Sequence, residues 1–143
     1  MAHSSPKSPH PDTLAVHAGQ SPDPATGAIM TPVYQTSTFV QKSPGVIIDD
    51  YDYARSANPT RKSAERNLAS LEGGRHGLLF SSGLAAQACA IHLLQSGDHV
   101  VHFAEQYQPT RALIGRVLRR FGVASTMLSI DDLDGLERVL AAT

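Results

Sequence analysis

His76-Gly77-Leu78-Leu79-Phe80-Ser81-Ser82-Gly83-Leu84-Ala85-Ala86 is the stretch on which the fold turns. A short apolar run at residues 76–80 gives way, across two serines and a glycine, to an Ala/Leu-rich segment over residues 83–95. This reads as a buried strand feeding a helix. Downstream, Gly97 stops that helix and residues 99–103 read as a second strand. Residues 110–121 read as a helix ended by Gly122, and residues 123–128 as a third strand. Asp131-Asp132 then caps a last helix through residue 142. Upstream, Asn58 is a cap, Pro59 a first helical residue, and Gly73-Gly74 the stop of a helix carrying an apolar stripe of Ala64, Leu68 and Leu71. The alternation predicts an α/β fold, a mostly parallel sheet covered by helices. Three strands make a very small sheet whose faces and edges need cover, so the sequence reads as the opening part of a larger one.

The residues before Asn58 behave differently. Residues 1–12 hold Pro6, Pro9 and Pro11 and almost no apolar side chain, which predicts a loose tail. Residues 13–58 show no sustained period apart from a short helix over residues 13–18. Yet they carry Ile29, Val33, Tyr34, Phe39, Val46, Ile47, Ile48, Tyr51 and Tyr53. A stretch of that length without regular elements, but rich in apolar residues, predicts an extended arm that docks on a partner subunit. Residues 59–143 form the partial α/β domain.

Composition narrows the function. With 41% hydrophobic and 17% charged residues the chain is an ordinary globular one, and a formal net charge of −1 gives no footprint for nucleic acid or an acidic membrane. Cys89 is the single cysteine, so an internal disulfide is excluded and a reducing compartment is the expectation. The first dozen residues lack an apolar core of the secretory type, and no apolar run reaches membrane-spanning length; the reading is cytosolic.

Three places could carry chemistry. The Ser81-Ser82-Gly83-Leu84 turn opens a helix whose first amides have no intrahelical partner, and the amides of Gly83 and Leu84 there suit a phosphate. Read by itself the turn is better explained by an ordinary cap at Ser81 and Ser82 and a tight turn at Gly83. In Tyr51-Asp52-Tyr53-Ala54-Arg55 the Tyr53 hydroxyl and the Arg55 fork, two residues apart, project from extended backbone to one side and suit phosphate oxygens. A solvated arginine beside a core tyrosine is the plainer alternative. Tyr107 follows the second strand, where ligands of parallel sheets bind, and its ring could stack on a planar one or pack on its neighbours. The seven histidines have no metal-ligand spacing, Asp131, Asp132 and Asp134 read as capping residues, and Cys89 reads as a small buried filler.

Together these segments resemble the Cys/Met-metabolism family of enzymes dependent on pyridoxal 5'-phosphate (PLP), which includes cystathionine gamma-synthase, cystathionine gamma- and beta-lyase, methionine gamma-lyase and O-acetylhomoserine sulfhydrylases. The marks are Thr13-Leu14-Ala15-Val16-His17-Ala18-Gly19, Thr31-Pro32-Val33-Tyr34-Gln35-Thr36-Ser37-Thr38-Phe39, Tyr53-x-Arg55-x-x-Asn58-Pro59-Thr60-Arg61, Leu71-Glu72-Gly73-Gly74, and Ser82-Gly83-Leu84-Ala85-Ala86 followed by Gly97-Asp98. The resemblance implies that residues 59–143 are the first part of a fold-type I large domain. It implies that Tyr53 and Arg55 reach the cofactor phosphate of a neighbouring subunit, that the Gly83 and Leu84 amides bind the phosphate of their own, and that Tyr107 stacks on the pyridine ring and assists proton transfer. The sequence departs from the family after that tyrosine, where Gln108-Pro109-Thr110 replaces Gly-Gly-Thr.

The resemblance further implies a homotetramer that eliminates or replaces a sulfur or oxygen substituent at the β or γ carbon of an amino acid. Lyase and synthase are not separated. Such chemistry begins from a lysine Schiff base. Lys7, Lys42 and Lys62 are the only lysines, and none lies in the Ser/Thr-rich context of the family's lysine. The expectation is an amino-terminal portion, inactive alone. Two other readings stay open: a non-catalytic subunit that lends Tyr53 and Arg55 to a longer relative, and a short α/β domain binding another phosphate-bearing ligand at Gly83.

Overall fold

Two helices frame the first part of the structure, α1 (Pro11–His17) and α2 (Pro59–Leu71). The computed structural model describes residues 9–142, and these fall into two compact units that divide between Leu79 and Phe80. Helix α2 begins as its sequence requires. Asn58 Oδ1 accepts from the amides of Thr60 at 2.9 Å and Arg61 at 3.4 Å, and Pro59 fills the first turn, where no amide hydrogen is needed.

Helix α1 packs on α2 through one side chain and one glycine. Asn67 Nδ2 donates to the carbonyls of Leu14, Ala15 and Ala18 at 3.0 to 3.1 Å, gathering the end of the helix, where the Leu14 carbonyl also accepts from the Ala18 amide at 2.9 Å. Gly19 then turns the chain at φ +76°, so close to α2 that a Cβ would lie 2.5 Å from the Ser63 carbonyl oxygen and 2.7 Å from the Asn67 nitrogen. Only glycine satisfies both the angle and the approach. Of the tail expected at residues 1–12, residues 1–8 lie outside the described residues, while Pro11 and Asp12 belong to α1.

Between the helices the chain has no strand, as its aperiodic sequence predicts. Isolated antiparallel bridges join Thr38 to Tyr53, Ser43 to Val46 and Ile48 to Tyr51. The Phe39 and Tyr51 rings meet at 5.3 Å. Asp23 organises a turn by accepting on Oδ1 from the amides of Ala25 and Thr26 and from the Thr26 hydroxyl, at 2.8 to 3.0 Å.

The second unit contains α3 (Gly83–Ile91), β1 (His99–Phe103), α4 (Gln108–Ala112), β2 (Ala124–Leu128) and α5 (Leu133–Ala142). Helix α4 continues as a π turn at Leu113–Val117 and a 3₁₀ turn at Leu118–Phe121, then stops at Gly122 with φ +78°. β1 and β2 pair in parallel, in register from His99 opposite Ala124 to Phe103 opposite Leu128. The core is Ile114, Leu118 and Val123, flanked by Ile91, Leu94 and Val100. Asp132 caps α5 through Oδ1, which accepts from the Gly135 amide at 2.8 Å. No helix among the described residues is long and apolar enough to cross a membrane.

The structure corrects several expectations. Residues 76–80 are extended but form no strand, leaving two strands among the described residues where three were predicted. A strand exists only with a ladder partner. Here the Leu79 amide donates instead to Glu65 Oε1 at 3.1 Å, and Leu78 is 72% exposed. Helix α3 ends four residues early, because His92 Nδ1 lies 2.6 Å from the Ala88 carbonyl and loose turns follow. Cys89 is exposed, not buried, since α3 has no fully buried residue.

Two outcomes follow. Asn67→Leu removes the side-chain donor from the Ala15 and Ala18 carbonyls, leaving Leu14 only the Ala18 amide, and should cost about 1–2 kcal/mol with faster amide exchange at α1. The hydrogen bonds from Thr26, main chain then hydroxyl, hold the Asp23 carboxyl below its ordinary range. A depressed carboxylate stabilises its turn above the unfolded value and loses that contribution as pH falls through the lowered one. The Thr26 amide resonance should therefore keep its position at mildly acidic pH and move only below the usual carboxylate range.

Candidate functional site

Ser82 decides which amides of α3 stay open. It is extended, with φ −160° and ψ 160°, and its Oγ accepts from the Ala85 amide at 3.1 Å while its carbonyl accepts from the Ala86 amide at 3.1 Å. Of the amides that a helix start leaves unpaired, this cap takes that of Ala85, the Ala86 bond being the helix's own first. Those of Gly83 and Leu84 remain, with no partner among the described residues. A Cβ built on Gly83 would meet no atom within 4 Å, so the approach to both amides is open. The helix dipole adds positive potential at the same point.

Tyr107 lies four residues beyond the end of β1, as the sequence places it. Gln108-Pro109-Thr110 turns out to be the first turn of α4: the Tyr107 carbonyl accepts from the amides of Thr110 at 3.0 Å and Arg111 at 3.3 Å. The short connection is held at several points. Arg111 Nη1 donates to the Ala104 carbonyl at 2.9 Å, Gln106 Nε2 lies 2.9 Å from His102 Nδ1, and the Glu105 carboxylate accepts from the Ser129 hydroxyl at 3.0 Å and the Ile130 amide at 3.1 Å. The tyrosine ring itself is 66% exposed and available to stack. The Thr110 hydroxyl donates to Gln87 Oε1 on α3, so Gly83, Leu84 and Tyr107 belong to two helix starts that one hydrogen bond ties together.

Tyr53 and Arg55 belong to the first unit. Their proximity is real, with the Arg55 guanidinium carbon 5.2 Å from the centre of the Tyr53 ring, but its origin is not the extended backbone expected. The chain turns after Tyr53, whose carbonyl accepts from the amides of Ser56 and Ala57 at 3.0 Å each. Arg61 braces this turn, Nη1 donating to the Ala54 carbonyl at 3.1 Å and Nη2 to the Ser56 carbonyl at 2.8 Å. Its bracing role was missed in the sequence, although the run ending Asn58-Pro59-Thr60-Arg61 marks it. Lys62 sits 3.8 Å from an Asp50 oxygen and 5.2 Å from the Tyr51 ring centre, Lys42 is exposed, and Lys7 is outside the described residues.

His99 and His102, three apart on β1, engage different partners, His99 Nε2 lying 2.9 Å from the Thr126 hydroxyl. Among the described residues no three His, Cys, Asp or Glu side chains gather in a way that could hold a metal ion.

Residues 12–143 match the sequence profile of a family described as Cys/Met metabolism PLP-dependent enzymes. Cystathionine beta-lyase of Coxiella burnetii is 46% identical over 137 residues, 95% of this chain and 35% of that protein. Cystathionine gamma-synthase of Mycobacterium bovis is 45% identical over 127 residues, 88% of this chain and 33% of that protein. The crystal structure of metB from Corynebacterium glutamicum superposes with a TM-score of 0.86 at 36% identity, covering 97% of this chain and 36% of that one. The chain thus spans about a third of the length of the relatives it matches.

Removing the cap tests how the site is built. Ser82→Ala should cost about 1 kcal/mol in chemical denaturation and leave the Ala85 amide unpaired along with the two before it.

Proposed function

The chain belongs to the Cys/Met metabolism PLP-dependent enzyme family, and from that membership we propose that it carries the phosphate-holding part of a transsulfuration enzyme's cofactor site. The observation that supports this most directly is the pair of amides at Gly83 and Leu84, left over by the Ser82 cap at an open, glycine-lined helix start. Such a pair fits a phosphate. The exposed Tyr107 ring, at the start of the helix that Thr110 ties to α3, fits a planar pyridine.

In this reading the complete protein acts on sulfur-containing or O-acylated amino acids by elimination or replacement at the β or γ carbon. The cofactor, when bound, supplies an electron sink that acidifies the α-hydrogen of an amino acid. Gly83 and Leu84 would hold its phosphate through their N–H groups, and Tyr107 would stack on its ring and offer its hydroxyl oxygen for proton exchange. Covalent attachment we assign to none of the described lysines, Lys62 lying beside Asp50 and Tyr51 and Lys42 being exposed.

The α/β unit is then the opening portion of a fold-type I large domain, which the likeness to metB supports. The segment at residues 13–58 is an arm docking on a second copy of the chain. There Tyr53 and Arg55, held together by the turn that Arg61 braces, present a hydroxyl and a guanidinium to the partner's cofactor phosphate. The assembly is a cytoplasmic homo-oligomer.

Inorganic phosphate titrated into the isotopically labelled chain should move the Gly83 and Leu84 amide resonances first. Gly83→Val, whose side chain would fill the open approach, should weaken that response at least tenfold while α3 stays helical by circular dichroism. Failure of both amides to respond in the unaltered chain would sink the assignment.

A further inference from the structure

We propose that Thr110 and Gln87 are a positioning pair that sets the Tyr107 ring at its working distance from the phosphate amides of Gly83 and Leu84, an inference that rests on the reading of the site just given. The pair joins the two helix starts that carry those groups. Gln87 lies one turn into α3, four residues beyond Gly83 and so on the same face. Thr110 lies in the first turn of α4, three residues beyond Tyr107, and its amide donates to the Tyr107 carbonyl at 3.0 Å. Its hydroxyl donates across to Gln87 Oε1.

Chemistry fixes the direction of this bond. The acceptor is the amide oxygen of Gln87, which has no hydrogen to give, so the threonine hydroxyl is the donor. Thr110 is 5% exposed, so water does not replace the bond cheaply if it is lost. Its surroundings leave the ring little other support. Arg111 ties α4 back to Ala104, and Glu105 ties the connection to the loop after β2, but neither reaches α3. The Tyr107 side chain, two-thirds exposed, has no hydrogen bond of its own among the described residues. The link between the helix start that carries Tyr107 and α3 is therefore the bond from Thr110.

The pair acts on the ring of a ligand and not on its phosphate, and this separates positioning from general structural support. The test uses the full 143-residue chain with two probes, inorganic phosphate and pyridoxine 5'-phosphate, the second chosen because it has no aldehyde to react with Lys7, Lys42 or Lys62. Binding is read from the Gly83 and Leu84 amides and from the Tyr107 ring resonances. Thr110→Val, close in shape but without the donor, should leave phosphate affinity within about twofold and lower pyridoxine phosphate affinity about tenfold, the size of one lost buried hydrogen bond. Thr110→Ser should restore it. Gln87→Met should reproduce the loss from the other side, which covers the case of a valine variant that folds poorly. In a Tyr107→Ala background Thr110→Val should cost nothing further, because the threonine acts through that ring. Equal weakening of both probes, or of neither, would overturn the positioning role while leaving the phosphate site intact. A chain whose Gly83 and Leu84 amides ignore phosphate altogether would instead defeat the site reading, and the pair with it.

Discussion

Parallel pairing of His99–Phe103 with Ala124–Leu128 is the constraint from which the second unit follows. Two parallel strands cannot be joined by a tight turn; the chain must cross over and return, and here the crossover is the helical run from Gln108 to Phe121. That run supplies Ile114 and Leu118, which meet Val123 to form the small core. Because both strands point the same way, the connections leaving them, Ala104 to Tyr107 after β1 and Ser129 to Asp131 after β2, emerge at one edge. Glu105 stitches them together there. Tyr107 stands at that edge because of topology before any specific contact is considered.

What was legible in the sequence was local. Asn58 and Pro59, Ser82, Gly122 and Asp132 each mark a helix end by a side-chain acceptor, a fixed φ or a tolerated left-handed conformation, and each acts within four residues of its position. The pair of amides at Gly83 and Leu84 was legible for the same reason. Non-local outcomes were not. Residues 76–80 have the composition of a buried strand, but the sequence of a strand does not name its partner, and among the described residues there is none. Cys89 looked buried because its neighbours are apolar, yet burial depends on what covers a helix and not on what the helix contains. The approach of Arg55 to Tyr53 was foreseen, but its cause, a turn braced by Arg61 from the first turn of α2, needed coordinates.

Burial explains why so much rests on hydrogen bonds. Among the described residues the buried hydrophobic side chains are Ala69, Ile114, Leu118 and Val123, and none of them is fully enclosed. Against this stand Val33 at 72% and Val40 at 82% exposed in the first unit, with Leu78 at its end. Ordering a residue costs about 1–2 kcal/mol of backbone entropy, and apolar burial normally offsets it. With so small a core, each unit holds its shape through caps and side-chain clamps: Asn67 on α1, Arg61 on the turn at Tyr53, and Thr110 on Gln87. Clamps of this kind define geometry well but add little net stability, about 0.5–1.5 kcal/mol each. A ligand that binds only the folded form adds stability by mass action, about 2.7 kcal/mol at a hundred times its dissociation constant, which exceeds any single clamp. In a unit balanced this way an anion bound at the Gly83 helix start would contribute to the fold itself, because that start and the Thr110–Gln87 clamp are parts of one small framework.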